Sequence, residues 1–166
     1  MQADRYHERI ANDPLPRIVT TVTEDRIPYF SIPLFAELAY YLLLQTTEFR
    51  EINIYAFAVM PDHIHVVAEK SGGKTVSDFM HSYKGFISRE IGKWHDEFHA
   101  KAGFQPRMHT SVWQVSFNQL LIYGKEGLRN RINYVANNPV QHGIVKNRNE
   151  YRWTYVAPGY AHMVSR

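Results

Sequence analysis

The chain contains no cysteine. Neither a disulfide framework nor a thiolate metal site can form, so any metal it binds is held by nitrogen and oxygen. Long hydrophobic runs are missing too: the most apolar stretch, residues 38–44, is far too short to span a bilayer. The first residues carry no signal-peptide hydrophobic region, so a soluble, cytoplasmic protein with no membrane partner is the expectation. Charge is nearly balanced. A net charge of +3 and a pI near 9.1 favour an anionic partner without deciding that it is nucleic acid. There is no internal repeat and no low-complexity segment. A chain of 166 residues with 45% hydrophobic content suits one domain, 1–166, with 1–15 and 157–166 expected as peripheral tails.

Local patterns predict alternating strands and helices. Residues 17–23 are rich in β-branched side chains and read as a first strand. Ser31 and Pro33 then open a helix to about residue 50, with Leu34, Leu38, Tyr41 and Leu42 at helical spacing. Residues 52–60 are almost continuously apolar, as a central strand requires, and Pro61-Asp62 turns the chain into a second inner strand over 63–69. Thr75-x-x-Asp78 looks like a capping box opening a helix with Val76, Phe79, Met80, Tyr83, Ile87 and Ile91 on one side. Residues 94–107 lack a clean period and read as loop or short irregular helix. A last strand is expected within residues 111–121, around Val112, Trp113 and Val115, and a last helix over 125–138, ended by Pro139. The order matches a split βαβ arrangement of α+β class, ferredoxin-like or RRM-like: an antiparallel sheet with helices on one face and the other free. Such a free face is a common platform for single-stranded nucleic acid.

His63-Ile64-His65 opens the second inner strand. Side chains on a strand repeat their direction every second residue, so both imidazoles leave one face while Ile64 and Val66 point the other way. Two ring nitrogens can then converge on one cation or phosphate. Read by themselves, the histidines are equally at home as half-exposed strand residues. On the last helix Leu128, Ile132 and Val135 form the buried stripe, and Tyr134, Asn138 and Arg131 cluster on an adjacent flank at about 100° per residue. A hydroxyl, an amide and a guanidinium on one flank suit phosphoryl chemistry. Basic residues Lys84, Arg89, Lys93 and Lys101 could line a phosphate-bearing strand or form a solvated helix face. Lys84, Arg129 and Arg131 are the expected DNA contacts.

Two segments carry a resemblance. Met60-Pro61-Asp62-His63-Ile64-His65 resembles the Met-Pro-Asn/Asp-His-hydrophobe-His segment of the single-tyrosine HUH transposases, which are IS200-like. Tyr134-Val135-Ala136-Asn137-Asn138-Pro139-Val140-Gln141-His142-Gly143-Ile144-Val145 is similar to their Tyr-Ile-x-x-Asn-Pro-Val-Lys-x-Gly-Leu-Val segment. The likeness is greatest to the branch associated with repetitive extragenic palindromes (REP), and Trp113-Gln114 and residues 151–154 fit the same pattern. It spans roughly residues 17–155. It implies an HUH-nuclease fold, Mg²⁺ or Mn²⁺ held by His63, His65 and a polar helix residue, and Tyr134 as the nucleophile toward single-stranded or hairpin DNA. A homodimer is compatible with it. The third ligand in related transposases is a glutamine one turn after the tyrosine; here that position is Asn138. Gln141 stands where lysine is common, and residues 122–125 replace an Ile-Arg-Asp-like sequence.

The implied chemistry is cleavage of a single strand to a 5′-phosphotyrosine and a free 3′-OH. One phosphoester replaces another, so rejoining needs no ATP. Three rivals remain open. A binding domain of the same fold would use the sheet without turnover. A phosphodiesterase with paired His-x-His elements is disfavoured because only one such element is present, and a relaxase by small size and the absence of a tyrosine pair.

Overall fold

The structure is a computed structural model that describes residues 14–49, 52–102 and 111–164. In chain order its elements are β1 (Arg17–Val22), α1 (Pro33–Phe49), β2 (Ile52–Met60), β3 (His63–Lys70), α2 (Val76–Ala102), β4 (Asn118–Leu121), α3 (Gly124–Gln141) and β5 (Thr154–Val156). The strands form one sheet in the order β4-β1-β3-β2-β5. Every neighbouring pair is antiparallel. The mixed α+β class expected from the sequence is the one observed.

Alternation along β3 divides the molecule. Ile64, Val66 and Ala68 join Val19, Ile54, Phe57 and Val59 beneath α1 and α2. His63, His65 and Val67 point the other way. A β-bulge in β2 lets the run of apolar residues serve both faces: Tyr55 is the extra residue between Ile54 and Ala56. Beyond it, Ala56, Ala58 and Met60 face the histidine side with Ile18 and Val67.

Helix α2 begins at the capping box read from the sequence, with Asp78 N donating to Thr75 Oγ1 at 3.1 Å and Thr75 N to Asp78 Oδ2 at 3.1 Å. It runs on to Ala102, past the point at 94 where its period blurs; residues 103–107 lie outside the described residues. Of the strand expected within residues 111–121, only the end forms, as β4 at Asn118–Leu121, while its expected centre at Trp113 makes one isolated bridge to Thr23. Trp113 is drawn into the core, its ring 5.5 Å from that of Phe30 and tilted against it, while Val115 is fully exposed.

The sheet is covered on both faces, which corrects the expectation of helices on one face only. Helix α3 lays Ile132, Val135 and Ala136 on the face that carries the histidines. The apolar patch of Ile18, Ala58, Met60 and Val67 demands a cover, and among the described residues the β1–β4 margin is left more open, with Leu120 58% exposed. Residues 157–164, expected as a peripheral tail, also pack on this side: Met163 and Val164 are buried and Tyr160 meets Tyr55 edge-on at 4.8 Å.

Lys84 is misplaced as an expected DNA contact. It lies on the face opposite the histidines, mostly buried, and its ammonium donates to Gln114 O at 2.9 Å and Ser116 O at 3.4 Å. Trp113 Nε1 returns a bond to Lys84 O at 3.1 Å. Burial pushes the Lys84 ammonium below its usual pKa. The residue therefore staples the segment before β4 to α2. Lys84→Ala should lower stability by about 1–3 kcal/mol, as expected for carbonyls deprived of a charged donor. DNA affinity of the folded protein should be unchanged; denaturant melts and anisotropy titrations check the pair.

Candidate functional site

The Pro61-Asp62 turn that joins β2 to β3 is gripped by the chain leaving β1. Thr23 N and Thr23 Oγ1 both donate to Asp62 O at 2.9 Å, and Phe30 N donates to Pro61 O at 3.0 Å. Asp25 and Arg26 in this connection hold φ of 51° and 53°, a costly conformation for residues with a Cβ. That turn brings Arg26 Nη1 within 3.0 Å of Asp62 Oδ2. The other carboxylate oxygen accepts from His63 Nδ1 at 2.6 Å. Burial works against the Asp62 charge, but the bonds from His63 and Arg26 hold its carboxyl below the usual carboxylate range.

His65 is held in a different way. It pairs across the sheet with Thr20, whose Oγ1 lies 2.8 Å from His65 Nδ1. Burial, then the neighbouring His63 and His142, push its pKa down to about 3, so the ring is neutral at physiological pH. With Nδ1 of His63 donating to Asp62, and Nδ1–H of His65 able to donate to Thr20, each ring keeps its Nε2 lone pair for the cleft. The two rings stand edge to face at 4.8 Å.

Helix α3 supplies the other wall. Pro139 does not end it as expected. A proline costs only one N–H and is tolerated in the final turn, and the helix stops at Gly143, whose φ of 68° suits glycine. Ile144 N donates to Pro139 O and Gly143 N to Val140 O, both at 2.9 Å, the bonding pattern of a Schellman cap. Within the extended helix Tyr134, Asn138 and His142 recur every fourth residue, spread over about 80° of its circumference. Their ends touch the two histidines: Tyr134 lies 5.3 Å from His65 and His142 lies 5.5 Å from His63, ring centre to ring centre.

Asn138, midway between those contacts, is fully buried, and neither its Oδ1 nor its Nδ2 has a protein partner among the described residues. An orphaned amide costs about 1–3 kcal/mol and asks for a ligand. Two imidazole nitrogens and an amide oxygen form a donor set that suits a divalent cation of the Mg²⁺ or Mn²⁺ type, with manganese better matched to nitrogen. The residues present therefore fit such an ion, although no group of three His, Cys, Asp or Glu side chains among the described residues is arranged to hold one.

Arg131 is exposed one turn before Tyr134 on the same flank. Arg129 sits about 140° away around the helix, 4.0 Å from Glu126, and does not share the cleft. His142 carried no expected role, although its spacing of eight residues from Tyr134 marks the same helix flank.

A buried histidine that stays neutral when folded but titrates near 6.5 when unfolded binds fewer protons in the native state. Its contribution is complete above about pH 6.5 and is lost as pH falls toward about 3, at no more than about 1.4 kcal/mol per unit. Urea unfolding of metal-free protein at pH 7, 6 and 5 should show this loss, and His65→Asn should flatten it. Equal slopes in both proteins would show that His65 is not the group responsible.

Comparisons with known proteins agree with the geometry. The family described as "Transposase IS200 like" matches residues 17–138. A Haemophilus influenzae protein named as a REP-associated tyrosine transposase is 28% identical over 103 residues, 61% of this chain and 57% of that protein. The chain thus matches little more than half the length of that relative. A solved REP-associated tyrosine transposase bound to a REP hairpin shares the fold with a TM-score of 0.58 at 19% identity, covering 85% of this chain and 76% of that one. A Deinococcus radiodurans R1 protein described as a transposase superposes with a TM-score of 0.52 at 18% identity, over 78% and 88% of the two chains. With most of its length inside the family's bounds and both of its motif segments on one cleft, the chain belongs to the IS200-like transposase family.

Proposed function

We propose that this protein cleaves and rejoins single-stranded or hairpin DNA by transesterification at Tyr134, with His63, His65 and Asn138 holding Mg²⁺ or Mn²⁺. The observation that carries the reading is the Tyr134 ring seated 5.3 Å from His65, against the paired imidazoles. The solved neighbour bound to a REP hairpin supports hairpin DNA as the substrate class.

In the reaction the Tyr134 oxygen attacks the scissile phosphorus, its O–P bond forming as the P–O3′ bond breaks. The phenolic proton is lost and the leaving 3′ oxygen gains one, giving a 5′-phosphotyrosine and a 3′-OH. A bound divalent cation would supply positive charge to offset that developing on the phosphate. Asp62 and Thr20 orient the imidazoles through their Nδ1 atoms. Arg131, exposed and one turn from Tyr134, is placed to pair with phosphate oxygens of the strand. Because the step is an exchange of esters, the same cleft accepts a second 3′-OH and runs the reaction backwards.

Incubation with a labelled DNA hairpin and Mn²⁺, followed by denaturing electrophoresis, should reveal a covalent adduct. Tyr134→Phe removes only the hydroxyl oxygen, so the adduct should vanish with hairpin affinity and melting temperature little changed. Tyr123→Phe, at a 70% exposed position, should keep it. An adduct formed by Tyr134→Phe at the wild-type rate would refute the mechanism; binding without any adduct in the wild type would favour the non-catalytic domain. Asn138→Ala should slow cleavage on the order of tenfold or more, with partial recovery at high Mn²⁺.

A further inference from the structure

The flank of α3 that faces away from the histidines borders a second depression, which the proposed reaction does not use. Two adjoining cavities lie there. One, of about 380 Å³, is lined by Arg148, Asn149, Arg152 and Thr154. The other, of about 570 Å³, is lined by Asn137 and Lys146 and shares Arg148 and Asn149 with the first. Together they make a groove between α3 and the returning chain that leads into β5.

Its rim is cationic and polar, over a floor that takes in Ala136, Val140, Val156 and Val164. The one acid of this segment, Glu150, is turned back on its own turn, where its carboxylate accepts from Lys146 N at 3.3 Å and Asn147 N at 3.4 Å. Arg152 pairs with Glu37. Among the described residues neither Lys146 nor Arg148 has an acidic partner for its side chain. Thr154 Oγ1 is buried at the groove without any hydrogen-bond partner. The turn that presents these groups is rigid: Asn147 caps it, its Oδ1 accepting from Asn149 N at 2.9 Å.

Position links the groove to the cleft. The chain passes from His142, whose ring meets His63, through the Gly143 turn to Lys146 at the mouth of the groove within four residues. A strand leaving the scissile phosphate can therefore bend around the end of α3. In the other direction it meets the open β1–β4 margin, where Leu120 and Tyr123 are 58% and 70% exposed and offer surfaces for bases.

Resting on the function proposed above, we propose that this groove is a second strand site: it holds the phosphodiester backbone of single-stranded DNA on one side of the cleaved phosphate. Lys146 and Arg148 meet phosphates, and the amides of Asn137 and Asn149 meet base edges.

Fluorescein-labelled oligodeoxythymidylates of about eight and about sixteen nucleotides, which bracket one and two sites, test this by anisotropy on full-length Tyr134→Phe protein with Mg²⁺. The longer probe should bind more tightly than the shorter. Adding Lys146→Ala/Arg148→Ala should abolish most of that gain and reduce the slope of log K against log[salt] by about 1.4, two contacts at about 0.7 each. The shorter probe should bind as before. Asn149→Lys, which no folding defect can mimic, should tighten the longer probe severalfold. Unchanged affinity and slope in the double variant, no gain from Asn149→Lys, or equal competition by a duplex of the same length would each overturn the second site. Absence of salt-dependent binding of either probe by the starting protein would instead overturn the function on which it rests.

Discussion

Alternation along β3 is the constraint on which the rest of the molecule depends. Ile64, Val66 and Ala68 are fully buried beneath α1 and α2, and Ile64 and Val66 each contribute about 1.5–3 kcal/mol by leaving water. A slip of one residue would exchange the two faces, burying His63 and His65 in that core and exposing the aliphatic row. The hydrophobic core thus fixes the direction of the histidines more firmly than any bond the histidines make. Thr20 and Asp62 then adjust what the register has decided, one from the neighbouring strand and one from the hairpin turn.

The opposing wall depends on where α3 stops. Had the helix ended at Pro139, Asn138 would be terminal and His142 would lie in a loop. The Gly143 cap carries the helix on to Gln141, with His142 as its C-cap, and keeps Tyr134, Asn138 and His142 on one flank facing the strand. The flank is anchored from beneath by Ile132, Val135 and Ala136 on the sheet. Apolar packing again sets the geometry of polar groups, and the cost appears at Asn138, whose buried amide lacks a protein partner among the described residues.

Much of this was legible in the sequence because it is written in short periods. The continuous apolar run of β2, the alternation of β3, the capping box at Thr75 and the stripe of α2 need only local patterning, and each lies where that patterning puts it. What failed needed information from elsewhere in the chain. Trp113 has a strand-like neighbourhood, but its indole is bound to the Lys84 carbonyl twenty-nine residues away and the segment serves as a packed strap. Lys84 reads as a surface cation until its ammonium is seen between two loop carbonyls. The free sheet face was inferred from the order of elements, which does not say on which side the last helix crosses. Of the expected site residues, His63, His65 and Tyr134 lie ring against ring, and Asn138 is buried one helical turn beyond Tyr134. Arg129 does not join them, and His142 was missed because a lone histidine near a glycine reads as part of a turn.

The same division between packed and exposed parts bears on how the protein can handle a strand. His65 and Asn138 are buried and held by the core, so in the reaction proposed here the groups set around the phosphate would need little ordering when a strand binds. Arg131, Tyr123 and Leu120 are exposed, and the entropy of ordering them falls due only on binding. Transesterification needs its nucleophile and phosphate aligned within a fraction of an ångström, whereas a flexible strand can be gripped by side chains that adapt to it. A rigid centre flanked by adaptable margins meets both requirements. It also accounts for the placement of the residues proposed to carry the chemistry on β3 and the last turns of α3, which the packing of Ile132, Val135 and Ala136 on the sheet holds in register with each other.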